Sequence, residues 1–169
     1  TSTAGFDYFN RYFFAQLNKG AIVIDERFNG GGFVADYVIN MLNRPFLSWW
    51  QPRYGEPFAS PNSGHWGPKA MLINEYAGSG GDFMPWAFRK TGIGKLVGTR
   101  TWGGLVGISG YPPLMDGGYV TAPSFGIVSG DGEFIIENHG VEPDVEVLIY
   151  PRDYQAGRDP QLELSLIHI

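Results

Sequence analysis

Two kinds of apolar pattern alternate along this chain. Phe6, Phe9, Tyr12, Phe13 and Leu17 recur at three- and four-residue spacing, which predicts one face of a helix over 6–17, stopped by Asn18-Lys19-Gly20. Ala21-Ile22-Val23-Ile24-Asp25 is then a short continuous apolar run ending in a carboxylate, as in a buried parallel strand. Asn29-Gly30-Gly31-Gly32 follows as a loop. Val34, Val38, Met41 and Leu42 predict a second helix, ended before Pro45. Ala70-Met71-Leu72-Ile73 repeats the buried-strand pattern and runs through Asn74-Glu75-Tyr76-Ala77-Gly78-Ser79-Gly80-Gly81 into a helix from about Asp82 to Arg89.

Between these units, Leu47 to Pro68 is rich in proline and glycine and reads as a long irregular excursion. Leu96-Val97-Gly98 predicts a third strand, and Arg100-Thr101-Trp102-Gly103-Gly104 another glycine loop. Tyr119–Ala122, Phe125–Val128 and Phe134–Glu137 are expected as short strands, with Leu148–Tyr150 the last. Strand, glycine loop and helix thus occur twice in order. That grammar belongs to an α/β domain with a mostly parallel sheet and flanking helices. In such sheets ligands bind beyond the carboxyl ends of the strands, so both glycine loops are expected at that edge.

Composition narrows the function classes. The chain has 169 residues, of which 43% are hydrophobic, enough to bury a core. Twelve Lys and Arg against 17 Asp and Glu give a formal charge of −5, which argues against nucleic acid as a partner. No cysteine is present, so disulfides, thiolate metal sites and a cysteine nucleophile are excluded within this sequence. No apolar run approaches the roughly 20 residues of a membrane span. The three histidines lack metal-ligand spacing, and neither a metal nor a cofactor is expected.

Ser79 is the candidate for chemistry. A serine between glycines, after a strand and before a helix, feels the positive end of the helix dipole and is ringed by unpaired N–H groups. If it attacked a carbonyl, the Gly80 N–H would face the developing oxyanion, and Gly32 offers the best second donor. The same position also suits a plain N-cap, and glycine loops after strands also bind phosphates. Ala77-Gly78-Ser79-Gly80-Gly81 misses the G-x-S-x-G elbow at its first residue. Residues alone leave these readings open.

Four blocks in order change the balance. Asp25-Glu26-Arg27-Phe28-Asn29-Gly30-Gly31-Gly32, Asn74 to Ser79, Gly98 to Gly104 and Glu137-Asn138-His139-Gly140-Val141-Glu142-Pro143-Asp144 resemble successive blocks of the tail-specific and tricorn serine protease family. The resemblance runs from Thr1 to about Glu163. It implies a ClpP/crotonase-like α/β fold and hydrolysis of peptide substrates without a cofactor. It implies Ser79 as nucleophile, Gly32 and Gly80 as oxyanion donors, Gly31 as a backbone position beside the substrate, and Glu137 as the acid that supports a catalytic histidine through a serine. That Ser–His pair lies upstream in the family, in a helical domain, so no general base is expected in this chain. PDZ-like and propeller domains, a homo-oligomer and a cytoplasmic setting are likewise implied for the parent.

Two departures stand out. Gly80 replaces an aspartate of archaeal members, which leaves the N–H in place. Trp50 stands where an acidic residue favours basic P1 side chains, so an apolar P1 is expected. The rival readings are a non-catalytic peptide-binding or assembly module of the same fold and a crotonase-like acyl-CoA enzyme.

The remaining polar residues receive bland expectations. His65 is expected in solvent and His139 in a turn, Asp25 as a cap of the glycine loop, and Arg27 and Arg100 as bridges between loops. Trp102 is expected to pack in the core or against a loop, and the aromatic face of 6–13 to be core or an interface. Leu164–Ile169 reads as the translation of a transposon-end sequencing adapter, so the peptidase core is expected over 1–163 and the chain is expected to be open at both ends.

Overall fold

The computed structural model describes residues 2–169. Its centre is a sheet of four parallel strands: β1 (Ile22–Asp25), β4 (Lys69–Ile73), β5 (Lys95–Gly98) and β6 (Val145–Glu146), paired in the order β1-β4-β5-β6. β4 is buried at every position, as its unbroken apolar run predicts. β1 is only half-buried, because it lies at the sheet's edge with β4 on one side alone. Asp25 pairs with Leu72 across β1 and β4, and the Glu26 N–H donates to the Leu72 carbonyl at 3.0 Å. The two glycine loops therefore leave adjacent parallel strands at the same edge.

Helices α1 (Thr3–Phe14), α2 (Ala35–Leu42) and α3 (Gly80–Lys90) supply the apolar faces. Ser2 caps α1 by accepting the Gly5 N–H at 3.2 Å. α1 ends three residues before the predicted stop. Phe13 is buried, while Phe9 and Phe6 lean on Tyr37 of α2 with ring centroids 6.1 and 4.8 Å apart. α2 buries Val38, Ile39, Met41 and Leu42, and α3 buries Met84, Ala87 and Phe88. These side chains meet Met71, Ile73 and Leu96 of the sheet in one core, which Leu105, Ile136 and Val141 extend.

Several expectations are corrected. The excursion contains a hairpin, β2 (Ser48–Trp50) with β3 (Phe58–Ser60), paired antiparallel. Of the strands expected at 119–122, 125–128 and 134–137, only isolated bridges form, Gly107 with Phe125 and Val128 with Phe134. Pro112, Pro113 and Pro123 lack the N–H that a ladder needs, and this stretch is held mainly by turns and side chains. Residues 148–150 form no strand. Two short helices follow instead, α4 (Pro151–Gln155) and α5 (Pro160–Ser165). Asp159 caps α5 by accepting the Leu162 N–H at 3.0 Å, with Pro160 at the first helical position. Ser165 is fully buried, so the helix that packs on β4 and β5 reaches into 164–169.

His65 is buried, against the expectation of solvent. Its Nε2 donates to the Lys19 carbonyl at 2.8 Å, while Nδ1 has no partner. Burial lowers its pKa from the usual histidine range.

Candidate active site

Ser79 occupies the N-cap position of α3, yet its side chain caps nothing. Its backbone has φ 54° and ψ −120°, far from the extended conformation of an ordinary cap. A non-glycine residue held there stores strain of about 1–3 kcal/mol. The plain N-cap reading therefore fails: the turn spends backbone strain without gaining the cap hydrogen bond. Gly80 opens the helix, and the helix itself leaves an N–H at that position without a partner.

Neighbouring loops hold this turn from both sides. On one side lies the loop after β1. The Asn29 carbonyl accepts the Gly78 N–H at 3.0 Å, and the Asn74 Oδ1 accepts the N–H groups of Phe28 and Tyr76 at 3.0 and 3.2 Å. Asn29 is itself oriented, since its Nδ2 donates to Glu26 Oε1 at 2.6 Å and its Oδ1 accepts the Gly31 N–H at 3.0 Å. Gly31, at φ 106°, lies so close to the turn that a Cβ there would sit 2.6 Å from the Ser79 Cβ and 3.0 Å from the Gly80 nitrogen. Only glycine satisfies both the backbone angle and the approach.

On the other side lies the loop after β5. The Ser79 N–H donates to the Gly104 carbonyl at 2.9 Å, and the Trp102 N–H donates to the Ala77 carbonyl at 2.9 Å. Trp102 packs against loops, one of its two expected places, and not in the core, since it is largely exposed. Its ring lies across Gly78 and Gly104, and a Cβ on Gly78 would meet it at 2.7 Å.

Glu137 reaches the same place from the far end of the chain. Its Oε2 accepts the N–H groups of Leu105 and Val106, each at 2.7 Å. Ser79 and Glu137 both line a cleft of about 770 Å³, walled by Trp102, Val106, Phe125 and Phe134. A smaller cavity of about 150 Å³ adjoins it, where Gly32, Ser79 and Gly80 meet Phe83, Leu105, Phe125 and Ile127, with Asp36 as its one charged wall residue.

The structure thus places Ser79 and Glu137 on the larger cavity and Gly32, Ser79 and Gly80 on the smaller one, while Gly31 lines neither and packs directly against the Ser79 turn. Trp50 lines neither of them. It stands exposed on β2, with its ring stacked on Phe58 at 6.3 Å. Among the described residues no histidine lines either cavity, and His139 lies exposed in a turn. No cluster of three or more His, Cys, Asp or Glu among the described residues could hold a metal ion, and no helix is long and apolar enough to cross a membrane.

The supporting residues escaped the sequence reading. Asp82 reads as an ordinary first-turn acid of a helix, but it is fully buried and faces the loop after β5. Glu26 looks like a loop carboxylate, but it is only 4% exposed, and burial raises its pKa to about 8. Arg27 does bridge loops, as expected. It donates to Asp25 at 2.6 and 2.9 Å, to Asp159 at 2.8 and 3.1 Å and to Gln161 at 3.1 Å. Arg100 donates to the His139 carbonyl at 2.5 Å, also in a bridging role.

The parallel sheet and flanking helices that carry this site have their counterpart among proteases. Residues 3–147 match the model of peptidase family S41, and the chain belongs to that family. It is 41% identical over 162 residues to the tricorn protease of Thermoplasma acidophilum, covering 96% of this chain and 15% of that protein. It is 40% identical over 164 residues to the tricorn protease homolog of Saccharolobus solfataricus, again covering 15% of the relative. The crystal structure of the tricorn protease superposes with a TM-score of 0.87 over 96% of this chain and 16% of that one. A photosystem II D1 C-terminal processing protease, 23% identical, shares the fold with a TM-score of 0.64 over 86% of this chain and 40% of its own. The chain therefore spans less than a fifth of the length of the tricorn relatives it matches.

Proposed function

We propose that this chain is the nucleophile-bearing core of a serine endopeptidase that cleaves oligopeptides through an acyl-enzyme. The single observation that carries the reading is Ser79 itself. Its backbone is held at strained angles, its side chain caps nothing and lines the cleft, and it is flanked by the Gly80 amide and the close-packed Gly31 backbone.

The Ser79 Oγ attacks the scissile carbonyl carbon and gives its proton to an imidazole. The carbonyl oxygen becomes an oxyanion, which takes hydrogen bonds from the N–H groups of Gly80 and Gly32. Loss of one such donor raises the barrier by about 2.7–4 kcal/mol. Collapse of the tetrahedral adduct breaks the C–N bond, and the imidazolium protonates the leaving amine. Water, deprotonated by the same imidazole, then frees the acyl group.

The imidazole belongs to the parent protein outside this chain. Its serine partner is supported by Glu137, whose Oε1 lies beside the Oε2 that Leu105 and Val106 hold. This chain alone, taken as the core over 1–163, then lacks a general base. Helical, PDZ-like and propeller elements complete the parent, which is a cytoplasmic homo-oligomer in this reading.

Apart from Ser79 and Asp36, the side chains lining the small cavity beside Gly80 are apolar, Phe83, Leu105, Phe125 and Ile127 among them, which supports an apolar P1 side chain. Trp50 remains the proposed contributor to that preference from outside these cavities. The test is hydrolysis of a fluorogenic peptide library by the full-length protein and by its Ser79→Ala variant. The reading requires cleavage after apolar residues that the variant loses. A strict Lys/Arg preference would refute the P1 assignment, and cleavage that survives in the variant would refute the nucleophile.

A further inference from the structure

Four successive amides in the loop after β5 are shared between two carboxylates. The N–H groups of Gly103 and Gly104 donate to Asp82, at 2.8 Å to Oδ1 and 3.1 Å to Oδ2. The next two, Leu105 and Val106, donate to Glu137. Asp82 is fully buried and takes a third bond, from the Thr101 hydroxyl at 2.5 Å. The Thr101 oxygen in turn accepts the Val141 N–H at 2.9 Å. The loop is therefore strapped at one end to α3 and at the other to the segment that carries Glu137.

The strap also bears on the nucleophile. Gly104 gives its N–H to Asp82 and, from the peptide unit on the other side of its Cα, presents its carbonyl to the Ser79 N–H, while the Leu105 N–H of that second unit goes to Glu137. Asp82 sits three residues after Ser79 on the helix that Ser79 opens, so the circuit Asp82–Gly104–Ser79 closes on itself. We propose that Asp82 is a positioning residue. It holds the Gly104 carbonyl on the Ser79 N–H, which keeps Ser79 at its strained backbone angles and fixes its hydroxyl relative to Glu137. The proposal rests on the peptidase reading above, and it concerns the rate of the chemical step, not the binding of substrate.

Asp82→Asn tests it without changing side-chain size. One carboxylate oxygen becomes an NH₂, and in either orientation that donor faces a glycine N–H of the loop. In the full-length protein, kcat for peptide hydrolysis and the rate constant for fluorophosphonate labelling of Ser79 should both fall about 10- to 100-fold. KM should stay within about twofold and the final labelling should still reach one adduct per folded chain. Thr101→Val removes the shortest bond to Asp82 and should act in the same direction, while Thr101→Ser keeps the hydroxyl and should restore the rate.

Unchanged kcat and labelling rate in folded Asp82→Asn would overturn the proposal. So would a lower melting temperature with the rate per labelled site preserved, which marks a purely structural group. If Asp82→Asn fails to fold, Thr101→Val against Thr101→Ser decides by the same readings. A wild-type protein that never labels at Ser79 would sink the peptidase reading, and this proposal with it.

Discussion

The Gly104 carbonyl accepts the Ser79 N–H at 2.9 Å, although the two residues lie 25 positions apart in the chain. That bond ties the loop after β5 to the turn after β4. A second set of bonds, through Asn29 and Asn74, ties the turn to the loop after β1. Ser79 is thus fixed by backbone partners on both neighbouring strands' loops, which is what a strained serine needs to persist.

Gly31 is the tightest point of this assembly. Gly31→Ala would bring a Cβ to 2.6 Å from the Ser79 Cβ and 2.9 Å from its Oγ, at φ 106°. The Ser79 turn would have to move. Peptide hydrolysis by the full-length protein should fall at least about 100-fold, and thermal unfolding should show a loss of about 1–3 kcal/mol. Steady-state kinetics beside a melting curve checks both. An active, equally stable variant would mean that the two loops are further apart than described.

Glu26 predicts a pH dependence of stability. Burial raises its pKa to about 8 in the folded protein, against 4.5 for an ordinary glutamate. Between those values the folded state holds a proton that the unfolded state has lost, so stability falls as pH rises from about 4.5 to 8. His65 works in the opposite sense at the acid end. Its pKa is lowered by burial, so its contribution is present above the ordinary histidine value and is lost as pH falls. Glu26→Gln keeps an acceptor for Asn29 and removes the titration. Its melting temperature minus that of the wild type should grow from pH 5 to pH 8. A constant difference would show that Glu26 does not titrate in this window.

The Arg27 fork joins the motif loop to α5. Arg27→Lys keeps the charge but cannot bond two carboxylates and Gln161 at once. The partners are partly exposed, so the loss should be about 1–2 kcal/mol, less than for a fully buried pair. Hydrogen exchange should show faster exchange at Leu162 and Ser165, with β4 unaffected. Protection unchanged in α5 would mean that the helix is held by its apolar contacts alone.

The legible parts of this protein were those with local signatures. β4 follows from an unbroken apolar run, α1 and α2 from apolar spacing of three and four residues, and the shared edge of the glycine loops from parallel topology. Ser79, Gly31 and Gly80 were visible as small residues at a strand-to-helix turn. What stayed hidden depends on partners distant in sequence. Asp82 and Glu26 look like surface acids until the loops they hold are folded over them. The strands expected in 119–137 have β-rich composition, but their prolines and turns leave only single bridges. α5 is hidden for another reason: its Asp159-Pro160 start is a clear capping signal, but its last two residues, Leu164 and Ser165, fall in the segment that reads as adapter. Only the resemblance puts Trp50 near the site, and it stands on a hairpin whose position no local pattern predicts.

The nucleophilic role of Ser79 is tested most directly by treating the full-length protein with a fluorophosphonate and locating the adduct by peptide mass spectrometry. A single adduct on Ser79, absent in Ser79→Ala and formed more slowly in Glu137→Ala, is the predicted result. A hydrolytically active protein that carries its adduct on another serine, or none at all, would contradict it.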